Sequence, residues 1–232
     1  MSVFRKSYCN TGKAQLALQR AAWLRREGIR TPAGRPGQIA CQVDFDRIAG
    51  VSGIDLLAAA PMVDLLAPLG MLQGVRAGDV PRFDPLLRIR PRLMAGVADW
   101  LGRALGRLRP ATTGGTVLLH GDFHLGQLIR DRTGEVWLID LDDLAAGPQE
   151  ADLGNVIAHL ATSGPAARGG FDRSLAFWRD AVLAAWFALG RGCDPALVDR
   201  FLRLALIRRH LKLREAGRPD FGEAICRYLS TP

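Results

Sequence analysis

The segments His120-Gly121-Asp122-Phe123-His124-Leu125-Gly126-Gln127 and Ile139-Asp140-Leu141-Asp142-Asp143 decide how this chain is read. Short apolar runs surround them: Thr116 to Leu119, Gln127 to Ile129 and Val136 to Leu141, with Arg132-Thr133-Gly134 as a turn between the last two. These runs predict three short strands around two polar loops. Asp122 then sits in a loop just after a buried strand, an amide oxygen follows five positions later at Gln127, and Asp140 ends the hairpin strand. Phosphoryl transfer from a nucleotide needs one carboxylate to receive the proton of the acceptor hydroxyl. It also needs oxygen ligands to hold magnesium across the nucleotide phosphates. The spacing supplies both.

Each segment alone would pass for a polar turn whose Asp caps nearby backbone. Together they carry more. Asp122-Phe123-His124 is also an Asp-x-His arrangement suited to a dinuclear phosphoesterase. Only His159 and His210 remain elsewhere, however, and no Asn-His or His-x-His follows to complete two metal sites. His124 is therefore read as a loop-packing residue. In protein kinases the catalytic Asp and a metal-binding Asn are likewise five apart, with the second metal-binding Asp after a following strand.

HGDFHLGQ, then LIDLDD, then Gly147-Pro148 and Asp152-Leu153 resemble the aminoglycoside phosphotransferase and choline kinase superfamily, with a maltokinase-like HLGQ loop. The resemblance implies a protein-kinase-like fold and an ATP- and magnesium-dependent kinase acting on a hydroxyl of a small molecule such as a sugar or aminoglycoside. It implies Asp122 as catalytic base, Gln127 in place of the usual metal-binding Asn, and Asp140 as the main magnesium ligand. It implies structural roles in the catalytic loop for His120 and for Asp152, which ties the loop down through backbone hydrogen bonds. Of Asp142 and Asp143, Asp142 is favoured as a further metal ligand, since it alternates onto the side of Asp140 if the strand continues.

The resemblance extends upstream. Val3-Phe4-Arg5-Lys6 reads as the strand carrying the lysine for nucleotide phosphate, Lys13 to Glu27 as the helix after it, and Gln38 to Leu57 as hinge strand and first turn. No room remains before Val3 for a phosphate-covering hairpin, and the helix has no glutamate before Glu27, which leaves Gln15 or Gln19 to partner Lys6. The expected class is α+β and protein-kinase-like: an abbreviated N-lobe remnant at 1–53 and a mostly helical C-lobe at 54–232. A second reading follows, a weak or inactive pseudokinase serving as a binding module.

Helical spacing is predicted for Ile54 to Leu72, Ile89 to Leu108, Ala151 to Thr162, Phe171 to Leu189 and Pro195 to Glu215. Trp100, Trp178 and Trp186 in these segments, and Trp23 in Lys13 to Glu27, lie in helical patterns and are assigned to core. The chain has 232 residues with 48% apolar content, enough for a real core. Four scattered cysteines form no CxxC pair or zinc spacing, and no leader-like or membrane-length apolar run occurs. A cytoplasmic protein without a membrane partner is expected. Net charge is +8, but the arginines are spread along the chain and interleaved with acids. No basic run carries stacking aromatics, which argues against nucleic acid. The Arg88 to Arg92 cluster is read as a solvated helix start, and no feature sets an oligomeric state.

Overall fold

The computed structural model describes residues 2–87, 89, 115–163, 170–215, 217 and 222–230. Apart from Ile89, the predicted helix Ile89 to Leu108, with Trp100 and the rest of the 88–92 cluster, lies outside them.

The chain opens with β1 (Val3–Ser7), α1 (Thr11–Arg26), β2 (Gly34–Pro36) and β3 (Gln42–Asp46). Asn10 caps α1 by accepting the Lys13 N–H at 2.9 Å, the standard remedy for the unpaired donors of a first turn. Ala14, Ala17, Arg20, Ala21 and Leu24 form its buried stripe. The three strands make an antiparallel sheet in the order β1-β3-β2, with Lys6 opposite Val43. The strand expected from Gln38 thus begins at Gln42, and Gly34–Pro36, for which no strand was expected, pairs with it.

Two more small sheets follow. Strand β4 (Gly50–Ser52) pairs antiparallel with β6 (Leu128–Asp131), which pairs with β7 (Val136–Leu138); β5 (Thr116–Leu119) pairs with β8 (Ala145–Pro148). The run expected to continue to Leu141 stops at Leu138. Asp140 adopts a left-handed backbone with φ 59°, and Leu141–Asp143 form a 3₁₀ turn, so the alternation invoked for Asp142 does not apply.

The expected helix from Ile54 is two helices, α2 (Leu56–Ala59) and α3 (Met62–Gly74), because Ala60 turns extended before Pro61. The remaining described helices are α4 (Glu150–Ser163), α5 (Phe171–Ala188), α6 (Pro195–Glu215) and α7 (Gly222–Ser230). The last was not expected from sequence. Helix α4 is buried along nearly its whole length, and α6 packs on it so closely that a Cβ on Gly154 would stand 2.5 Å from the Leu202 nitrogen. Leu65, Leu66 and Leu69 of α3, Val156, Ile157 and Leu160 of α4, Val182 and Trp186 of α5, and Leu202, Leu206 and Ile207 of α6 share one core. Trp178 and Trp186 are buried as expected, while Trp23 is half-buried. This core fixes α4 and α6 against the two polar loops. Among the described residues no single helix is long and apolar enough to cross a membrane.

Candidate active site

Strand β5 leads into His120, which is buried, and Gly121, and the loop they begin is held from beneath. Asp152, 1% exposed on α4, accepts the His120 N–H at 2.8 Å and the Gly121 N–H at 3.0 Å. Burial pushes the Asp152 carboxyl up, opposed by His120 and the backbone N–H groups of His120, Gly121 and Phe123. The His120 ring adds a 2.9 Å bond from Nε2 to the Ile139 carbonyl, which joins the two motif segments. Gly121 has φ 79°, and a Cβ there would fall 2.1 Å from the Asp143 carbonyl oxygen. The two loops touch backbone to backbone at that point, which only glycine permits.

Asp122 is held on two sides. Arg208 Nη2 of α6 donates to its Oδ1 at 2.5 Å, with both side chains nearly buried, at 10% and 13% exposure. Asn155 of α4 donates to the same oxygen at 3.4 Å and to the Phe123 carbonyl at 2.8 Å. His124 caps the 3₁₀ turn Leu125–Gln127 by accepting the Gly126 N–H at 3.0 Å, and its ring stacks on His159 at 4.1 Å. Burial depresses both imidazoles, His124 to about 4 and His159 well below its ordinary value. The fold brings Asp122, His124 and His159 close enough to share a cation. The Arg208 guanidinium already supplies that positive charge to Asp122.

On the other side of the loop, Lys6 Nζ of β1 lies 2.5 Å from Asp140 Oδ1 and 2.7 Å from Asp142 Oδ2. Burial works against the ammonium's charge, but the hydrogen bonds to both carboxylates outweigh it and raise the Lys6 pKa. Gln127 Nε2 stands 3.4 Å from Asp140 Oδ2, and the Tyr8 hydroxyl donates to Asp142 Oδ1 at 3.3 Å. These residues close one end of a cavity of about 540 Å³, whose walls include Ala17, Ala21, Pro32, Phe45, Ile129 and Ile139. Lys6 therefore takes Asp140 and Asp142 as partners, not Gln15 or Gln19. The two carboxylates converge through the turn at Leu141, although the strand that was to align them has ended.

The structure thus gathers Lys6, Gln127, Asp140 and Asp142 in one place, and sets Asp122 across the same loop, with His120, His124 and Asp152 supporting it. Sequence reasoning missed Asn155, Arg20 and Arg208. Asn155 follows Asp152 by three on a helix, so it was findable as a second polar residue on the same face. Arg20 was findable as an arginine in register with Ala17 and Leu24 on an apolar stripe. Nothing in a chain this rich in arginine marks Arg208.

The family model described as the phosphotransferase enzyme family matches residues 59–196. No curated protein sequence matches the chain. Several solved structures share its fold. Aminoglycoside phosphotransferase APH(3'')-Id from Streptomyces rimosus, in complex with ADP and streptomycin, is 19% identical with a TM-score of 0.63, over 89% of this chain and 86% of that one. A choline/ethanolamine kinase family protein from Mesorhizobium loti is 18% identical with a TM-score of 0.70, over 100% of this chain and 83% of its own. Amicoumacin kinase hAmiN, in complex with AMP-PNP, Ca2+ and Ami, is 11% identical with a TM-score of 0.67, over 99% and 81%.

Proposed function

Because the chain belongs to the phosphotransferase enzyme family, we propose that it transfers a phosphoryl group from ATP, with magnesium, to a hydroxyl of a small molecule such as a sugar or aminoglycoside. The observation that carries this reading is the convergence of Lys6, Gln127, Asp140 and Asp142 at one end of a cavity of about 540 Å³. Asp122 stands across the same loop. The nucleotides in the Streptomyces enzyme and in hAmiN, and the Ca2+ in the latter, support a nucleotide and a divalent cation here.

The residues fit a hard cation. Two carboxylates and an amide oxygen are the donor chemistry magnesium takes, and the Lys6 ammonium already stands between Asp140 and Asp142 as a cation in that place. Asp140, Asp142 and Gln127 would hold magnesium, Gln127 by turning its amide over to present Oε1. Bound there, magnesium would neutralise charge on the nucleotide phosphates. Lys6 would then donate to phosphate oxygens. Asp122 takes the proton of the acceptor hydroxyl as its oxygen bonds to phosphorus and the bond to the departing nucleoside diphosphate breaks. Arg208 and Asn155 keep the carboxylate oriented for that transfer.

In the same proposal, 1–53 belongs to the nucleotide lobe and 54–232 is the catalytic lobe, linked by the pairing of β4 with β6. A cytoplasmic setting fits too, where free cysteines stay reduced. The experiment is a thermal shift. ATP with magnesium at 100 times its dissociation constant stabilises by about 2.7 kcal/mol. Asp122→Ala should keep that shift and lose turnover. No shift with any nucleotide would sink the kinase reading in favour of a binding module.

A further inference from the structure

The carbonyls that follow Asp140 are held by a side chain far away in sequence. Arg20, on α1 and 7% exposed, donates through Nη1 to the Leu141 carbonyl at 3.1 Å and to the Asp142 carbonyl, and through Nη2 to the Leu144 carbonyl at 3.3 Å. A short 3₁₀ turn leaves its terminal carbonyls without partners of its own, and one planar guanidinium reaches three of them here. The turn also begins at Asp140, the one non-glycine residue with positive φ among the described residues. That conformation costs about 1–2 kcal/mol and persists only where surrounding bonds impose it.

We propose that Arg20 is a positioning residue that holds 140–144 in the conformation that aims Asp140 and Asp142 at the metal, an inference that rests on the kinase reading above. In protein kinases the corresponding coupling runs from a helix glutamate to the phosphate lysine. This chain routes it differently. Helix α1 has no glutamate facing Lys6, whose ion pairs run to Asp140 and Asp142. The helix instead touches the loop's backbone. Arg20 Nε has no hydrogen-bond partner among the described residues and is shielded from water, while its Nη1 and Nη2 donate to these carbonyls. Any displacement of α1 is therefore felt at both carboxylates. Lysine cannot substitute fully, because an ammonium is a point charge without the fork that spans neighbouring carbonyls.

The test uses Arg20→Lys, Arg20→Met and a control, Arg179→Met, which breaks the 2.8 Å pair with Asp199 away from the site. Two quantities are read: amide hydrogen exchange at residues 140–145, and the magnesium concentration giving half-maximal tightening of nucleotide binding. Arg20→Met should speed exchange in that segment at least tenfold beyond the control and raise the magnesium half-point at least tenfold, with Arg20→Lys between. Magnesium half-points and exchange equal to those of the control overturn the proposal, as does an Arg20→Lys protein indistinguishable from wild type in both. If wild type itself tightens on no nucleotide with magnesium, the kinase reading fails and the metal-aiming role falls with it. A wild type that responds while the variants respond identically refutes Arg20 alone.

Discussion

Replacing Asp152 with alanine should unfold this protein more than any other single polar substitution near the site. The carboxylate is 1% exposed and accepts two backbone N–H groups, from His120 at 2.8 Å and Gly121 at 3.0 Å. Each hydrogen bond to a charged group contributes about 1.5–3 kcal/mol, and losing the acceptor leaves its donor buried and unsatisfied. The two together give about 3–6 kcal/mol. Alanine also relieves the cost of keeping a carboxylate out of water, the effect that pushes the Asp152 carboxyl up, which brings the expected net loss to about 2–4 kcal/mol. For a chain of this size that is roughly 5–15 °C in Tm. Urea denaturation with the midpoint and slope both measured is the assay, since a changed slope would signal lost cooperativity and not lost stability. Asp152→Asn is the second variant. Its amide can accept one N–H but must set its own N–H against the other, so it should recover only part of the loss. A loss below about 1 kcal/mol for alanine, or full recovery by asparagine, would refute the claim that Asp152 anchors the loop.

Two further predictions follow from packing and titration. Gly154→Ala places a Cβ 2.5 Å from the Leu202 nitrogen and 2.7 Å from the Phe201 carbonyl carbon; despite alanine's better helix propensity, the variant should lose about 1–3 kcal/mol, and a urea midpoint at or above wild type would contradict it. His124, depressed to about 4, and His159, held well below its ordinary value by burial, are neutral in the folded protein near neutral pH. Unfolded imidazoles take protons near 6.5, so below that pH the unfolded state binds more protons. Stability from these groups is complete above about 6.5 and falls as pH drops toward 4, by up to about 1.4 kcal/mol per pH unit for each ring. Arg208 and Arg209 reinforce the effect and Asp122 opposes it. Urea midpoints from pH 7.5 to 5 should decline, and His159→Phe should flatten the decline; an equal slope in that variant would refute the assignment.

The candidate site was legible because its residue spacing is local. His120 to Gln127 and Ile139 to Asp143 lie on short strands and tight turns, where spacing along the chain nearly dictates spacing in space. The helices between Glu150 and Glu215 were legible for a related reason, since an apolar stripe at helical period must be buried. Legibility failed where the backbone departed from the regular period. Asp140 takes a left-handed φ that no pattern of side-chain polarity announces, so the strand ended early. Strands β2, β4 and β8 read Gly-Arg-Pro, Gly-Val-Ser and Ala-Ala-Gly-Pro, and glycine, proline and alanine carry none of the apolar signal that marked the equally short β5 to β7.

From its sequence alone this chain declared which residues are chemically equipped to act: Asp122, Gln127, Asp140 and Asp142, with Lys6 at a distance. Only the tertiary structure decided what each is held by. Lys6 meets Asp140 and Asp142 across 134 residues or more of chain, Arg208 reaches Asp122 across 86, and Arg20 reaches the Leu141 carbonyl across 121. Such pairings depend on how α1 and α6 are set by their apolar faces against the common core. A charge on the far side of a helix carries no sequence signal of the partner that packing will bring to it.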